Sequence, residues 1–189
     1  MRSFFLLFFL IFSIGSIHAE NLKPSKGIIA TSNPYASKAA YEVIKNGGNA
    51  IDASIAVQLV LTLTEPQATG IGGGAFMLYW DAKKSKLFSI DGREKAPSLA
   101  SEDLFLNKDG KNIKFYPDAV VGAKSVGVPG IIRLLEETHK KFGKLEWSEL
   151  FTYAIELSEN GFSISPALHN TLGYLNYLKT VEPAASLYY

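Results

Sequence analysis

The sequence predicts an α+β fold, on three observations. Residues 70–97 carry a hairpin pattern, in which two short apolar runs, 75–80 and 87–90, flank a polar, lysine-rich turn at 81–86. Several other segments repeat apolar residues at helical spacing. One of them, 51–63, is apolar almost all round and too short to span a bilayer comfortably, which predicts a buried helix packed on a sheet.

The elements follow in chain order. Arg2 begins a positive start, residues 4–14 are apolar except for Ser13, and the next stretch ends in the small residue Ala19. This predicts a secretory signal peptide over residues 1–19, with the mature chain, 20–189, outside the cytoplasm. The alternative, an uncleaved anchor, has an apolar core short for a spanning helix. Residues 27–31 form a short apolar strand candidate. Asn33 before Pro34 starts a helix whose inner face is Ala36, Ala39, Ala40, Val43 and Ile44, and Gly47-Gly48 stops it. Asn49 caps the apolar helix, which Glu65-Pro66 ends.

Past the hairpin, residues 98–119 are polar and irregular, with a turn at 107–111 and with Phe115-Tyr116-Pro117 packing under a loop. A strand candidate runs from Val120 to Val126. Gly127-Val128-Pro129-Gly130 opens a helix with Ile131, Leu134, Leu135 and Thr138 inward, which Gly143 ends. Trp147, Leu150, Phe151, Ala154, Ile155 and Ser158 keep helical spacing up to Asn160-Gly161. Ser165-Pro166 starts a last helix with Leu168, Leu172, Leu175 and Leu178 inward.

Composition narrows the function. The chain has 189 residues, 47% hydrophobic and 20% charged, with net charge +1, so nothing points to nucleic acid or another strongly charged partner. It has no cysteine, which excludes disulfides, thiolate metal sites and a cysteine nucleophile. Of three histidines, His18 lies in the leader, and His139 and His169 read as structural or surface residues; no paired-histidine spacing argues for zinc. No cofactor is implied.

Folding the hairpin back brings Gly72-Gly73-Gly74 beside Asp91-Gly92-Arg93-Glu94. Glycine permits close backbone approach to a ligand, and arginine offers a planar fork for a carboxylate. The glycines read either as a tight turn or as a pocket wall. Nucleotide binding is disfavoured, because phosphate loops run strand, glycines, helix, and this loop runs helix, glycines, strand. Arg93 reads either as a salt bridge to Asp91 or Glu94 or as a carboxylate clamp. No GxSxG motif occurs, and Ser125, Ser148, Ser163 and Ser165 have no evident base.

Taken together, Ala30-Thr31 with Pro34, Gly47-Gly48-Asn49-Ala50-Ile51-Asp52-Ala53, Gly70-Ile71-Gly72-Gly73-Gly74-Ala75-Phe76-Met77, Asp91-Gly92-Arg93-Glu94-Lys95-Ala96-Pro97, Ser125-Val126-Gly127-Val128-Pro129-Gly130, Gly143-Lys144-Leu145-Glu146-Trp147 and Gly161-Phe162 run in order over nearly all of residues 27–165. In this the chain resembles the N-terminal part of the large subunit of the γ-glutamyltranspeptidase (glutathione hydrolase) family. The resemblance implies an N-terminal-nucleophile hydrolase fold, an αββα sandwich present here only as an incomplete fragment. It implies a precursor that cuts itself, a threonine nucleophile at the start of the small subunit, and transfer of the γ-glutamyl group to water or an acceptor amine. Arg93 matches the arginine that binds the substrate α-carboxylate. The implied partners are glutathione or another γ-glutamyl compound and the missing small-subunit half; no stable membrane insertion is expected after leader removal. The Thr-Thr-His segment of the family is absent, so this polypeptide alone is expected to be inactive. A dicarboxylic side-chain acylase of the same family and a non-catalytic extracytoplasmic binding protein are the rival expectations.

Overall fold

The computed structural model describes residues 27–189. The predicted signal peptide, with Arg2, His18 and Ala19, lies outside the described residues. The chain is mixed helix and strand. It runs α1 (Pro34–Lys45), α2 (Ala50–Thr64), β1 (Ala75–Asp81), β2 (Lys86–Gly92), α3 (Ile131–Phe142), α4 (Thr152–Asn160), α5 (Pro166–Tyr174) and α6 (Ala184–Tyr188), with short 3-10 turns and one π turn (Phe115–Ala119) between.

Local chemistry explains the helix ends. The Asn33 side chain accepts from the Tyr35 N–H, with Pro34 in the first turn of α1. Asn49 and Asp52 form a reciprocal capping box at α2. Ser165 caps α5 through the Leu168 N–H, again ahead of a proline. Gly161, at φ 76°, ends α4 in a conformation that costs glycine little.

α2 packs mainly against other helices, namely α1, α3, α4 and the turn Trp147–Phe151, which corrects the expectation that it lies on a sheet. Ile51, Ile55, Val60, Ile131, Leu134, Leu135 and Leu150 are at the heart of the core. The predicted inner face of α3 is buried at all four positions, Ile131, Leu134, Leu135 and Thr138. On α1 the three alanines are buried but Ile44 is exposed, and on α4 the inward residues are Ala154 and Leu157 while Ile155 faces solvent.

The two strands pair antiparallel from Ala75↔Gly92 to Asp81↔Lys86, forming a two-stranded sheet among the described residues. Met77, Tyr79 and Ile90 pack on the core, and Phe142 of α3 meets Tyr79 and Phe88 at ring-centroid distances of 4.8 Å each. Phe76, Leu78 and Trp80 point the other way and are exposed.

Two predicted strands do not form. Residues 27–31 are irregular and exposed except at Thr31, because no neighbouring strand in the described chain pairs with them. Residues 120–126 instead make turns and a 3-10 helix (Ala123–Ser125), after Gly122 takes φ 106°. Phe115 and Tyr116, expected under a loop, are largely exposed. The last helix stops at Leu175, and a 3-10 turn (Asn176–Thr180) and α6 follow.

Candidate functional site

Three glycine-bearing segments meet at the open end of the hairpin. The Gly73 carbonyl accepts the N–H groups of Gly130 (3.1 Å) and Ile131 (3.2 Å), so the glycine loop caps the start of α3. Lys95 and Val128 form a two-way backbone bridge, N–H to carbonyl at 3.2 and 2.8 Å, tying the segment after β2 to the segment before α3. A Cβ on Gly74 would lie 2.7 Å from the Gly92 carbonyl, one on Gly130 would strike the carbonyls of Gly92 and Arg93, and one on Gly92 would strike Leu134. The backbones therefore cross too closely for side chains.

Arg93 projects from this junction just past the end of β2. Its side chain is 64% exposed. Its backbone N–H donates to Asp91 Oδ1 at 2.9 Å, which fixes the turn, and its Nη1 lies 2.8 Å from Glu94 Oε2. Of the two salt bridges weighed from the sequence, the one to Glu94 forms; Asp91 holds the backbone instead. Among the described residues no other carboxylate lies within 4.0 Å of the guanidinium. The site thus contains a cation, most of whose surface is open to solvent, on a rigid backbone crossing.

Among the described residues, several candidate hydroxyls are committed elsewhere. Ser125 Oγ donates to the Val120 and Gly122 carbonyls, Ser165 Oγ caps α5, and the hydroxyls of Thr62, Thr64 and Thr180 donate to carbonyls of their own helices or turns. The His139 ring is occupied structurally, with Nε2 2.9 Å from the Leu145 carbonyl and Trp147 packed against it. Among the described residues no group of three or more His, Cys, Asp or Glu could hold a metal. A cleft of about 930 Å³ between residues 27–31, α1 and α2 is lined by Tyr41, Ile44 and Val57 but not by Arg93 or the glycine loop.

Two carboxylates matter structurally, and sequence reasoning did not assign their contacts. Asp52, fully buried, accepts the N–H groups of Asn49 (2.9 Å), Lys144 (3.0 Å) and Leu145 (3.3 Å), joining the start of α2 to the loop after α3. The Asn49 amide donates to the Phe142 carbonyl at 2.6 Å across the same junction. Glu65, 5% exposed, accepts from the Asn33 amide at 2.7 Å and the Gln67 amide at 2.6 Å. Burial pushes its carboxyl up, but hydrogen bonds from Asn33, Gln67 and Ser165 outweigh this and hold it below its ordinary value. The signal available beforehand was Asn49 followed three residues later by Asp52, a capping-box spacing.

Residues 36–189 match the family model described as γ-glutamyltranspeptidase. The glutathione hydrolase proenzyme of Bacillus subtilis is 43% identical over 164 residues, covering 80% of this chain and 28% of that protein. The γ-glutamyltranspeptidase of Helicobacter pylori superposes with a TM-score of 0.81 at 34% identity, over 87% of this chain and 47% of that one. The enzyme of Pseudomonas nitroreducens, complexed with L-DON, gives a TM-score of 0.75 at 39% identity, over 80% of this chain and 44% of that one. The chain thus spans about a quarter of the length of the curated relative it matches.

Proposed function

Because the chain belongs to the γ-glutamyltranspeptidase family, we propose that it supplies the substrate-carboxylate wall of an exported γ-glutamyltransferase or glutathione hydrolase. On this reading residues 1–19 are a signal peptide and 20–189 the front of a large subunit, and the completed protein is secreted or periplasmic. Its fold is an αββα sandwich. The single observation that supports the assignment of Arg93 is its 64% exposed side chain, fixed at a backbone crossing and with Glu94 as its one ionic partner among the described residues.

The chemistry assigned to the whole precursor is acyl transfer. A threonine hydroxyl from the remaining part attacks the γ-carbonyl, its proton passing to the threonine's own amine. The C–N bond breaks, the leaving amine takes up that proton, and water or a second amine then releases the acyl group. Arg93 contributes binding and orientation by pairing with the α-carboxylate, four bonds from the carbonyl carbon that is attacked, which lowers the entropic part of the barrier.

The test uses the precursor that joins this chain to the remaining length carried by its relatives. Arg93→Ala is expected to raise KM for a γ-glutamyl anilide on the order of 30- to 150-fold, corresponding to about 2–3 kcal/mol for a charge-assisted bidentate contact. An unchanged KM removes Arg93 from the site. Residues 1–189 alone are expected to release no amine from that substrate above the buffer rate.

A further inference from the structure

Glu94 Oε2 is shielded from solvent and has no hydrogen-bond partner among the described residues, although Arg93 Nη1 lies 2.8 Å away. An ionised oxygen withdrawn from water is costly unless a charge compensates it. Within 4.0 Å, and among the described residues, Arg93 is the one cation that does so.

The space the carboxylate occupies exists because three neighbours have no side chain. A Cβ on Gly74 would lie 2.6 Å from Glu94 Oε2 and 2.7 Å from the Glu94 backbone nitrogen. One on Gly73 would lie 3.3 Å from Oε1, and one on Gly127 would lie 2.9 Å from Glu94 Cβ. By contrast, nothing lies within 4 Å of a Cβ added to Gly72. The glycine run is thus selective: two of its members wall the Glu94 side chain and one is free.

We propose that Glu94 is a positioning residue for Arg93, its carboxylate seated against the backbones of Gly73, Gly74 and Gly127 so that it holds one guanidinium nitrogen and leaves the rest of the fork to a substrate carboxylate. This rests on the reading of Arg93 as a carboxylate clamp. The contact is one-sided and off the hydrogen-bonding direction, so Glu94 steers the guanidinium without filling its fork. A rigid seat on one side narrows the rotamers of a long side chain that is otherwise in solvent. Substrate then meets an arginine already aimed, and less ordering remains to be done on binding.

The test reads the seat apart from the clamp. The full 189-residue chain is treated with phenylglyoxal, and labelling of Arg93 is compared by peptide mass spectrometry with labelling of Arg133, which pairs with Glu136 and Glu137 on α3. Glu94→Gln, which keeps the shape and removes the charge, is expected to raise the Arg93-to-Arg133 ratio about three-fold, the scale of a partly exposed ion pair. Gly74→Ala, which expels the carboxylate, should raise it similarly, and Gly72→Ala should leave it unchanged. A ratio unmoved in Glu94→Gln overturns the proposal, as does a rise there without one in Gly74→Ala. In the completed precursor, Glu94→Gln is expected to raise KM for a γ-glutamyl anilide about three-fold with kcat held. A fall in kcat at constant KM assigns Glu94 another role and also overturns it. If Arg93→Ala leaves KM unchanged, the clamp fails, and the labelling ratio still reports on the seat.

Discussion

Removing the Asp52 carboxylate tests whether one buried side chain joins the two ends of the helical core. Asp52 is fully buried at the start of α2 and accepts three backbone N–H groups, from Asn49, Lys144 and Leu145. Two of these belong to the loop that follows α3, more than ninety residues along the chain. In Asp52→Ala all three donors lose their acceptor. Each hydrogen bond to a charged group contributes about 1.5–3 kcal/mol, and a donor left buried costs about 1–3. Water can reach the partly buried loop donors, so the sum falls towards the lower end, about 4 kcal/mol. Asp52→Asn keeps one acceptor oxygen and sets an NH2 against the Lys144 N–H, which costs about 2 kcal/mol. With an m-value of about 2 kcal/mol/M, urea unfolding followed by Trp fluorescence should show midpoint shifts of about 2 M and 1 M. Trp147 reports locally, since it packs against His139 beside this junction. Shifts below about 0.3 M for both variants would refute the reasoning, and the loop would then be held by the His139–Leu145 and Asn49–Phe142 contacts.

Leu134→Ala removes the 4% exposed side chain on which Gly92 rests, and should destabilise the chain by about 2–5 kcal/mol in the same urea experiment. Glu65 has a folded-state pKa held below its ordinary value of 4.5, so its contribution is fully present above that value and is lost as pH falls through the depressed one. Glu65→Gln should therefore lower the urea midpoint at pH 7, and the gap to the parent should close as pH falls below 4.5. The outward face of the hairpin carries Phe76, Leu78, Trp80 and Leu87, each more than half exposed. The chain should accordingly self-associate in light scattering, and Trp80→Glu should reduce this.

Features whose cause is local were legible in the sequence. Asn33-Pro34, the Asn49-Asp52 spacing and Ser165-Pro166 start helices because the groups that satisfy the free N–H ends lie within three residues. The hairpin and the inner face of α3 were readable for the same reason, since period and turn chemistry are properties of a short window. Residues 27–31 and 120–126 failed as strands because a strand needs a partner that no window displays. The apolar helix α2 suggested a sheet beneath it, but continuous apolarity says only that every side is covered, and here helices do most of the covering. Arg93 was legible as a candidate from its company of glycines and acids. The seating of Glu94 was not, because it depends on Gly127, which reaches the site only when residues 95 and 128 pair.

The glycine junction also bears on where a negatively charged ligand can be met. A helix N-terminus with free N–H groups attracts anions, and α3 begins beside Arg93. Yet the N–H groups of Gly130 and Ile131 already donate to the Gly73 carbonyl, at 3.1 and 3.2 Å. That oxygen is supplied by the glycine loop, so these two N–H groups are spent on holding the loop in place. The backbone of Lys95, the next cation along, is paired with Val128. On the proposed reading, carboxylate recognition at this end of the hairpin is assigned to the Arg93 guanidinium, and the glycines serve it indirectly. They let the backbones cross, cap α3, and leave room for the Glu94 carboxylate beside the Arg93 guanidinium.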